Sequence, residues 1–378
     1  MSSPAYGEVR ARHYATQQVL RVKWQAGLIS SIEPVPDTAL DEERWIAPTL
    51  FDVQVNGFGG VDFQQDQLSG EALLAAVHAL RAAGCSRFLL TLVTDDWTRL
   101  TARLRHLKSL RAQSPELQSA IAGWHIEGPF LSTVPGFHGA HDPALMLDPT
   151  PKHIQDLRAL TAQDPCLLTL SPERPGAFPA ISEAVSLGLK VSLGHTNASA
   201  EVLREAIAAG ATGFTHLGNG CPRDLDRHDN ILWRVFEQPG LTVSLIPDQI
   251  HVSPMLFRLV HRVLDPANVF YTSDAMSAAG MPPGVYALGK LRLEVGADQV
   301  VRQPGKPLFA GSALRPIDGV FRAAKMLGAP WQETWARFSE APARFLGLRN
   351  ELAIGQPADF CLLKLTAENE LADLRIGG

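Results

Sequence analysis

The sequence predicts a TIM-type (β/α)8 barrel, an α/β fold, flanked by a small β-sandwich domain that both termini form. Eight short apolar runs rich in β-branched residues recur between Asp52 and Asp274 at intervals of about 31 residues, the length of one βα unit. Helical patterns lie between several of these runs. The two ends of the chain alternate only weakly between apolar and polar residues, which is typical of small exposed strands.

Each of the eight runs is typical of a buried parallel strand. Serines at 69 and 199 can cap helices between them, and glycines at 84 and 210 can end those helices. Residues 318–347 are expected to supply the closing helices. In chain order the runs are TLFDVQVN (49–56), SRFLLTLVT (86–94), AIAGWHIEG (120–128), CLLTLSPE (166–173), KVSLGHT (190–196), TGFTHLGN (212–219), LTVSLIPD (241–248) and VFYTSD (269–274).

This organisation predicts two domains. Residues 1–47 and 336–378 form the small β domain, and residues 48–335 form the barrel. A doubly wound open sheet is the alternative architecture. Such a sheet would more often show a glycine-rich phosphate loop after its first strand, and no GxGxxG motif is present there.

Composition excludes several classes of protein. The 378 residues are 46% hydrophobic and 19% charged, which is typical of a globular chain and not of a disordered one. A formal net charge of −5 argues against a nucleic-acid partner. The longest stretch without Asp, Glu, Lys or Arg, 206–222, contains His, Thr and Asn, so no membrane span is expected. The N-terminus lacks an apolar signal core, and the four cysteines are far apart, so a cytoplasmic location is expected.

Polar side chains stand at the ends of the predicted strands, where a barrel of this class gathers its catalytic groups. Buried strands have no packing reason to end in histidine or carboxylate residues. Imidazoles and carboxylates at one rim predict a metal site, because zinc and similar ions prefer nitrogen and carboxylate oxygen when thiolates are absent. The side chains at these positions are Gln54, Asn56, Thr94, His125, Glu127, Glu173, His195, His216, Asp248, His251 and Asp274.

Several segments in collinear order carry a family resemblance that covers roughly residues 45–360. They are similar to the N-acetylglucosamine-6-phosphate deacetylase family of the amidohydrolase superfamily. The combination of HIEGP, GHT and TSDAMSAAG is the most specific part. The segments are DVQVNGFGGVDF (52–63), HIEGPFLS (125–132), GAHDP (139–143), SLGHTNAS (192–199), FTHLGNG (214–220), IPDQIHVSP (246–254), YTSDAMSAAGMPPGVYALG (271–289) and FAGSALRPIDG (309–319).

The resemblance implies a barrel with a flanking β-sandwich, and hydrolysis of the acetamide of an N-acetyl amino sugar 6-phosphate to acetate and the free amine. It implies a single divalent metal ion on Glu127, His195 and His216. Zinc is the expected ion, and iron, cobalt or nickel suit the same donors. Asp274 matches the family's catalytic acid/base, and His251 matches a histidine that contacts substrate.

The resemblance also implies a phosphate site and a dimer. Asn219, Gly220 and Arg227 fall where the family holds the sugar phosphate, and the matching arginine reaches across a dimer interface, so a homodimer is expected. Backbone groups of two other segments fall where the family lines its substrate pocket: Ala140, and the run Phe309, Ala310 and Gly311.

Two departures from the family pattern bear on the number of metal ions and on the choice of sugar. Many superfamily members carry HxH at the end of the first strand and bind two metals, whereas this chain has Gln54 and Asn56. Amides are poor zinc ligands, so a second metal is not expected, and Gln54 is interpreted as orienting the attacking water. The usual HLFNAM reads HLGNGC at 216–221, which leaves the sugar open.

The expected mechanism is attack of a metal-activated water, with Asp274 accepting its proton and donating it to the leaving nitrogen, and His251 polarising the acetyl carbonyl. His138 is interpreted as a surface residue and His141 as structural support. Three alternatives stay open. They are a deacetylase of N-acetylgalactosamine 6-phosphate, an N-acyl amino acid amidohydrolase, and a catalytically silent barrel that serves as a binding protein.

Overall fold

The computed structural model describes residues 6–305 and 309–377. The first five residues of the predicted 1–47 segment, and Gly378, therefore lie outside the described part. In chain order the strands are β1 (Tyr6–His13), β2 (Val19–Gln25), β3 (Leu28–Pro34), β4 (Trp45–Pro48), β5 (Leu50–Val55), β6 (Gly57–Phe58), β7 (Val61–Asp62), β8 (Cys85–Val93), β9 (Ile121–Glu127), β10 (Cys166–Leu170), β11 (Lys190–Leu193), β12 (Gly213–Phe214), β13 (Thr242–Leu245), β14 (Val269–Tyr271), β15 (Gly284–Leu288), β16 (Leu291–Val295), β17 (Val301–Arg302), β18 (Phe360–Leu365) and β19 (Leu371–Gly377).

Helices connect most of the barrel strands. Ser69 accepts a hydrogen bond from Ala72 N at the start of the first helix, and Ser199 accepts one from Val202 N at the start of another, which confirms both predicted caps. In chain order the helices are α1 (Gly70–Ala82), α2 (Trp97–Gln113), α3 (Pro115–Ala120), α4 (Pro151–Thr161), α5 (Ala177–Ser186), α6 (Ala200–Ala208), α7 (Ile231–Phe236), α8 (Pro254–Val263), α9 (Pro316–Leu327), α10 (Trp331–Phe338) and α11 (Glu340–Phe345). None of them has the length and apolar character to cross a membrane.

The central sheet confirms the predicted barrel. Its strand order is β5-β8-β9-β10-β11-β12-β13-β14, so each strand lies beside its successor in this sheet, and all of the pairs are parallel. A doubly wound sheet would instead reverse its strand order. The two edges meet where Val55 bridges Ala275, and Asn56 N donates to Ala275 O at 2.7 Å. All eight predicted runs supply a strand of this barrel.

A buried carboxylate joins the first and last barrel strands. Asp52 on β5 accepts from Thr272 Oγ1 at 2.5 Å and from Ser273 N at 3.0 Å, just beyond β14. Burial raises the pKa of Asp52 to about 6, against the hydrogen bonds that favour its charged form. This contact closes the barrel beneath the strand ends.

The flanking domain is a six-stranded sheet of order β19-β18-β4-β1-β2-β3, built from both ends of the chain. Trp24 packs edge-on against Phe360 in its core, with ring centroids 5.5 Å apart. Helices α10 and α11 lie against the barrel, and Trp335 Nε1 of α10 donates to Pro48 O, at the end of β4 in the flanking sheet, at 2.9 Å. The predicted helical closure over 318–347 is confirmed, while the domain limits at 47/48 and 335/336 stay a prediction. A further sheet of β15, β16 and β17 is inserted after the last barrel strand.

We expect Asp52→Ala to lower the free energy of unfolding by about 1–3 kcal/mol, because buried donors at Thr272 and Ser273 would lose their acceptor. Urea denaturation measures this. The exposed Asp41→Ala variant is the matched control and should unfold like the parent. Equal midpoints for Asp52→Ala and the parent would show that the carboxylate does not hold the barrel closed.

Candidate active site

The predicted metal ligands and the predicted acid/base lie at the ends of barrel strands or two to three residues beyond them, together at one rim. Three of them adopt left-handed backbone conformations, with φ of 51° at His195, 34° at His216 and 52° at Asp274. Non-glycine residues rarely adopt this conformation, which costs about 1–3 kcal/mol each and tends to occur at functional sites. The surrounding barrel therefore holds these three side chains in place against a local backbone preference.

Glu127, at the end of β9, is the centre of the cluster. Its side chain is buried, and Oε1 accepts from Gln54 Nε2 at 2.9 Å and lies 2.9 Å from His216 Nε2. His195 Nε2 is 3.4 Å from the same oxygen. Burial opposes ionisation, but hydrogen bonds from His195 and His216 outweigh it and hold the pKa of Glu127 well below its usual range. The carboxylate is therefore ionised at neutral pH.

The histidine rings are oriented for ligation. His195 Nδ1 donates to Phe137 O at 3.0 Å, so Nε2, which faces Glu127, is the ring nitrogen left available to a metal ion. The rings of His195 and His216 lie 4.9 Å apart and nearly perpendicular. His216 Nδ1 is buried and has no partner among the described residues.

His141, interpreted from sequence as structural support, also lies in this cluster. Its Nε2 lies 3.7 Å from Glu127 Oε2, and its ring centroid is 4.6 Å from that of His195. One ligand atom from each of Glu127, His141 and His195 lies within 4.8 Å of the others. Burial lowers the pKa of His141 to about 3, so this ring is neutral and able to donate a lone pair. His138, interpreted as a surface residue, is half-buried.

These donors fit a divalent metal ion. Two ligand atoms about 2.0–2.2 Å from one tetrahedral ion lie roughly 3.3 Å apart. The 3.4 Å between His195 Nε2 and Glu127 Oε1 matches that spacing. The set contains imidazole nitrogen and carboxylate oxygen, a chemistry that suits zinc, iron, cobalt and nickel. The thiol of Cys221 lines the cavity, but burial raises its pKa to about 11, so it is a protonated and poor ligand.

The two amides on β5 and at its end contact the two carboxylates of the site. Gln54 donates to Glu127, and Asn56 Nδ2 donates to Asp274 Oδ1 at 2.7 Å. The carbonyl oxygens of both amides are buried and have no partner among the described residues. Burial and the nearby Glu127 charge raise the pKa of Asp274 to about 7. Asp274 is therefore able to gain and lose a proton near neutral pH.

His251 is held by a carboxylate whose role the sequence alone does not predict. Asp248 Oδ2 accepts from His251 Nδ1 at 2.5 Å, while Oδ1 accepts from the backbone N–H of His251 and Ile250. Burial lowers the pKa of His251, but the Asp248 charge outweighs this effect and the pKa is raised overall. His251 Nε2 is buried without a partner within the described residues. The i, i+3 spacing of Asp248 and His251 is the sequence signal for this pair.

A cavity of about 910 Å³ opens above these groups. It is lined by Glu127, His195, His216, His251 and Asp274, and also by the predicted substrate-binding positions Ala140, Asn219, Gly220, Phe309, Ala310 and Gly311. Arg227 is exposed and lies outside the described lining of this cavity. The structure therefore brings together at one cavity every residue that was predicted to bind the metal or the substrate, except Arg227. Gln54 contacts this group through its hydrogen bond to Glu127.

No family model matches the chain, but curated proteins that are similar to it over most of its length are deacetylases of N-acetyl amino sugar phosphates. An N-acetylglucosamine-6-phosphate deacetylase from Danio rerio is 32% identical over 339 residues, which cover 85% of this chain and 81% of that protein. An N-acetylgalactosamine-6-phosphate deacetylase from Escherichia coli O157:H7 is 30% identical, covering 88% of this chain and 86% of that protein.

A solved structure extends the match to the whole fold. The N-acetyl-D-glucosamine-6-phosphate deacetylase of Mycobacterium smegmatis, in complex with N-acetyl-D-glucosamine-6-phosphate, superposes with a TM-score of 0.87 at 29% identity. The match covers 98% of each chain. The similarity therefore includes both the barrel and the flanking sheet.

The packing of Gly139 yields a prediction about metal binding. Gly139 has φ +60°, and a Cβ there would lie 2.9 Å from His195 Cε1. We expect Gly139→Ala to displace the His195 ring and to reduce bound divalent metal per chain, measured by elemental analysis after dialysis against a limiting metal concentration.

Gly188→Ala is the matched control, because Gly188 also has positive φ, +78°, and a Cβ there would have no neighbouring atom within 4 Å. Both variants should lose about 1–2 kcal/mol of stability from the left-handed backbone. Only Gly139→Ala should lose metal. Equal metal content in the two variants would contradict the assigned role of His195.

Proposed function

Because the chain belongs to the N-acetylglucosamine-6-phosphate deacetylase family, we propose that it hydrolyses the acetamide of N-acetylglucosamine 6-phosphate to glucosamine 6-phosphate and acetate. It is thus an amidohydrolase that acts on a carbon–nitrogen bond. The observation that carries the proposal is the convergence of Glu127, His195, His216 and Asp274 at the floor of one cavity.

The proposed cofactor is one divalent metal ion, held by Glu127, His195 and His216, with zinc expected first. When bound, such an ion lowers the pKa of a coordinated water to roughly 7 and polarises a carbonyl. His141 lies beside this set and presents a neutral ring to the same region. Gln54 holds Glu127 in place through its amide N–H, which fixes the oxygen that faces the imidazoles.

Asp274 is the proposed acid and base. Asn56 engages its Oδ1, so Oδ2 is the oxygen assigned to the proton. It takes a proton from the attacking water and returns it to the amide nitrogen, because an amine leaves poorly unless it is protonated. The buried surroundings that raise the pKa of Asp274 to about 7 favour both halves of this transfer.

His251 is proposed to hold the acetyl oxygen. Its Nδ1–H is committed to Asp248, which fixes the ring and leaves Nε2 at the cavity. A protonated Nε2 donates to the oxygen on which negative charge develops, and one such donor is worth about 3 kcal/mol. Phe309 packs beside the ring, with centroids 5.2 Å apart, and limits its movement.

The substrate's phosphate is proposed to bind at the loop after β12, through Asn219, Gly220 and Arg227. Exposure of Arg227 outside its own cavity is consistent with a homodimer in which it reaches the partner's cavity. The galactosamine epimer is the second candidate substrate, since one relative at 30% identity bears that name. The four free cysteines are consistent with a reducing, cytoplasmic setting.

An acetate-release assay with N-acetylglucosamine 6-phosphate tests the proposal. The purified protein should release acetate, lose that activity on chelation, and regain it on addition of a divalent metal. Run in parallel, N-acetylgalactosamine 6-phosphate identifies the preferred epimer. Asp274→Asn should lower kcat by about 10²- to 10⁴-fold, because general acid–base transfer is lost.

The Asp274→Asn variant should keep the parent's metal content, and the exposed Asp41→Asn variant should keep the parent's rate. If the metal-bound protein released acetate from none of the N-acetyl sugars tested, the result would favour a catalytically silent barrel that serves as a binding protein. Full activity in the presence of a chelator would contradict the role assigned to the metal.

The Asp248–His251 pair predicts a shift in the pH profile. Activity that needs protonated His251 is present below the pKa of His251 and is lost as pH rises through it. Since Asp248 raises that pKa, Asp248→Asn should move the descending limb of kcat/KM to lower pH. Rates measured between pH 5 and 9 test this, with Asp41→Asn as the control. A descending limb of kcat/KM at the same pH in Asp248→Asn and the parent would show that the reaction does not depend on protonated His251.

A further inference from the structure

Among the described residues, three arginine or lysine side chains line the cavity, and two of them have a carboxylate neighbour. Arg103 is buried, and its Nη2 donates to Asp66 Oδ1 at 2.7 Å and to Asp95 Oδ2 at 2.9 Å. Lys290, on the turn between β15 and β16, lies 3.9 Å from Asp95 Oδ1. The two carboxylates balance the charge of the buried Arg103. Lys290 is largely exposed and has only a distant contact with Asp95, which Arg103 already engages.

Arg223 differs from the other two. It lines the cavity, is exposed, and makes no hydrogen bond or ion pair within residues 6–305 and 309–377. Its guanidinium carries a full charge into a space that also contains the Glu127 and Asp274 carboxylates. A guanidinium without a protein partner at the wall of a substrate cavity is suited to an anionic group of the substrate.

The residues just before Arg223 pack close to the catalytic groups. Pro222 packs against Gly136, where a Cβ would lie only 2.8 Å from Pro222 Cγ. Gly220 packs against the His195 ring in the same way. Three residues span at most about 11 Å, so the Arg223 backbone lies within about that distance of Gly220, which contacts the His195 ring.

Arg227 lies only four residues further on but faces elsewhere in its own chain. Its carbonyl accepts from Trp233 Nε1 at 3.2 Å, at the start of α7, and its side chain is outside the described cavity lining. A single chain therefore offers one arginine without a partner to its own cavity, and within the described residues that arginine is Arg223.

We propose that Arg223 binds the substrate's phosphate within the same chain and is a determinant of specificity for phosphorylated sugars. This inference rests on the proposed function, because it takes the 6-phosphate as the anion. The planar guanidinium donates two parallel N–H bonds to phosphate oxygens. The departure from the family pattern at 216–221 places this arginine directly after an altered loop, where it supplies a cation from within the chain.

The test compares phosphorylated and unphosphorylated sugars. Arg223→Ala should lower kcat/KM for N-acetylglucosamine 6-phosphate by about 10- to 100-fold, mostly through KM, as expected for loss of a charged hydrogen bond. The kcat/KM for N-acetylglucosamine should be unchanged. Arg223→Lys, which keeps the charge but not the two-pronged geometry, should recover part of the loss.

Arg105→Ala is the matched control, because Arg105 is exposed on α2, away from the cavity lining. It should leave both sugars unaffected. Equal losses on both sugars for Arg223→Ala would overturn the inference, since a general structural defect does not distinguish them. Loss of phosphate preference in Arg227→Ala, with none in Arg223→Ala, would overturn it as well.

A binding measurement separates this inference from the proposed reaction. Calorimetric titration with glucosamine 6-phosphate and with glucosamine should show weaker binding of the phosphorylated ligand alone in Arg223→Ala. If the parent protein binds the phosphorylated amine through Arg223 but releases no acetate, the proposed reaction fails and the inference stands. If the parent releases acetate and Arg223→Ala binds the phosphorylated amine as tightly as the parent, the inference fails and the reaction stands.

Discussion

Burial of the Glu127 carboxylate constrains the rest of the site. A charge removed from water is costly unless donors or counter-charges surround it. Here the donors come from distant parts of the chain: Gln54 on the first barrel strand, His195 after the fifth and His216 after the sixth. Only a closed barrel places the ends of these strands within hydrogen-bond distance of one side chain. Closure of the fold and assembly of the site are therefore one requirement.

The backbone at the rim supports the same requirement. His195, His216 and Asp274 all adopt left-handed conformations, and each lies two or three residues beyond its strand. A left-handed residue turns the chain sharply, so that the backbone leaves the barrel while the side chain stays over its axis. The cost is local, and it is offset by the packing of the barrel beneath, including the Asp52 contacts that join its first and last strands.

The barrel could be predicted from sequence because its signals are local. Each strand is a short apolar run, and the regular spacing of the runs gives their number and order. The rim is harder to predict, since irregular loops are placed by tertiary packing. His141 joins the cluster because its loop packs on His195 through Gly139, a contact between residues 56 apart that no local pattern contains. The predicted run at 212–219 becomes a strand of only two residues, because the chain turns at His216.

The distinction between Arg223 and Arg227 shows the same limit. Both are arginines in one irregular segment, and family resemblance singles out Arg227 alone. Which of them faces the cavity depends on how Pro222 packs against Gly136 and how Trp233 holds the Arg227 carbonyl. Side-chain direction in such a segment is a property of these contacts and not of residue type.

The loop after β12 couples the two ends of the cavity. It begins with His216 beside Glu127, presses Gly220 against the His195 ring, and ends with Arg223 at the wall. In the proposed complex, a phosphate held by this loop is remote from the acetamide, yet it bears on the same backbone that positions two imidazoles. Binding energy from such a remote group can be used to orient the reacting centre.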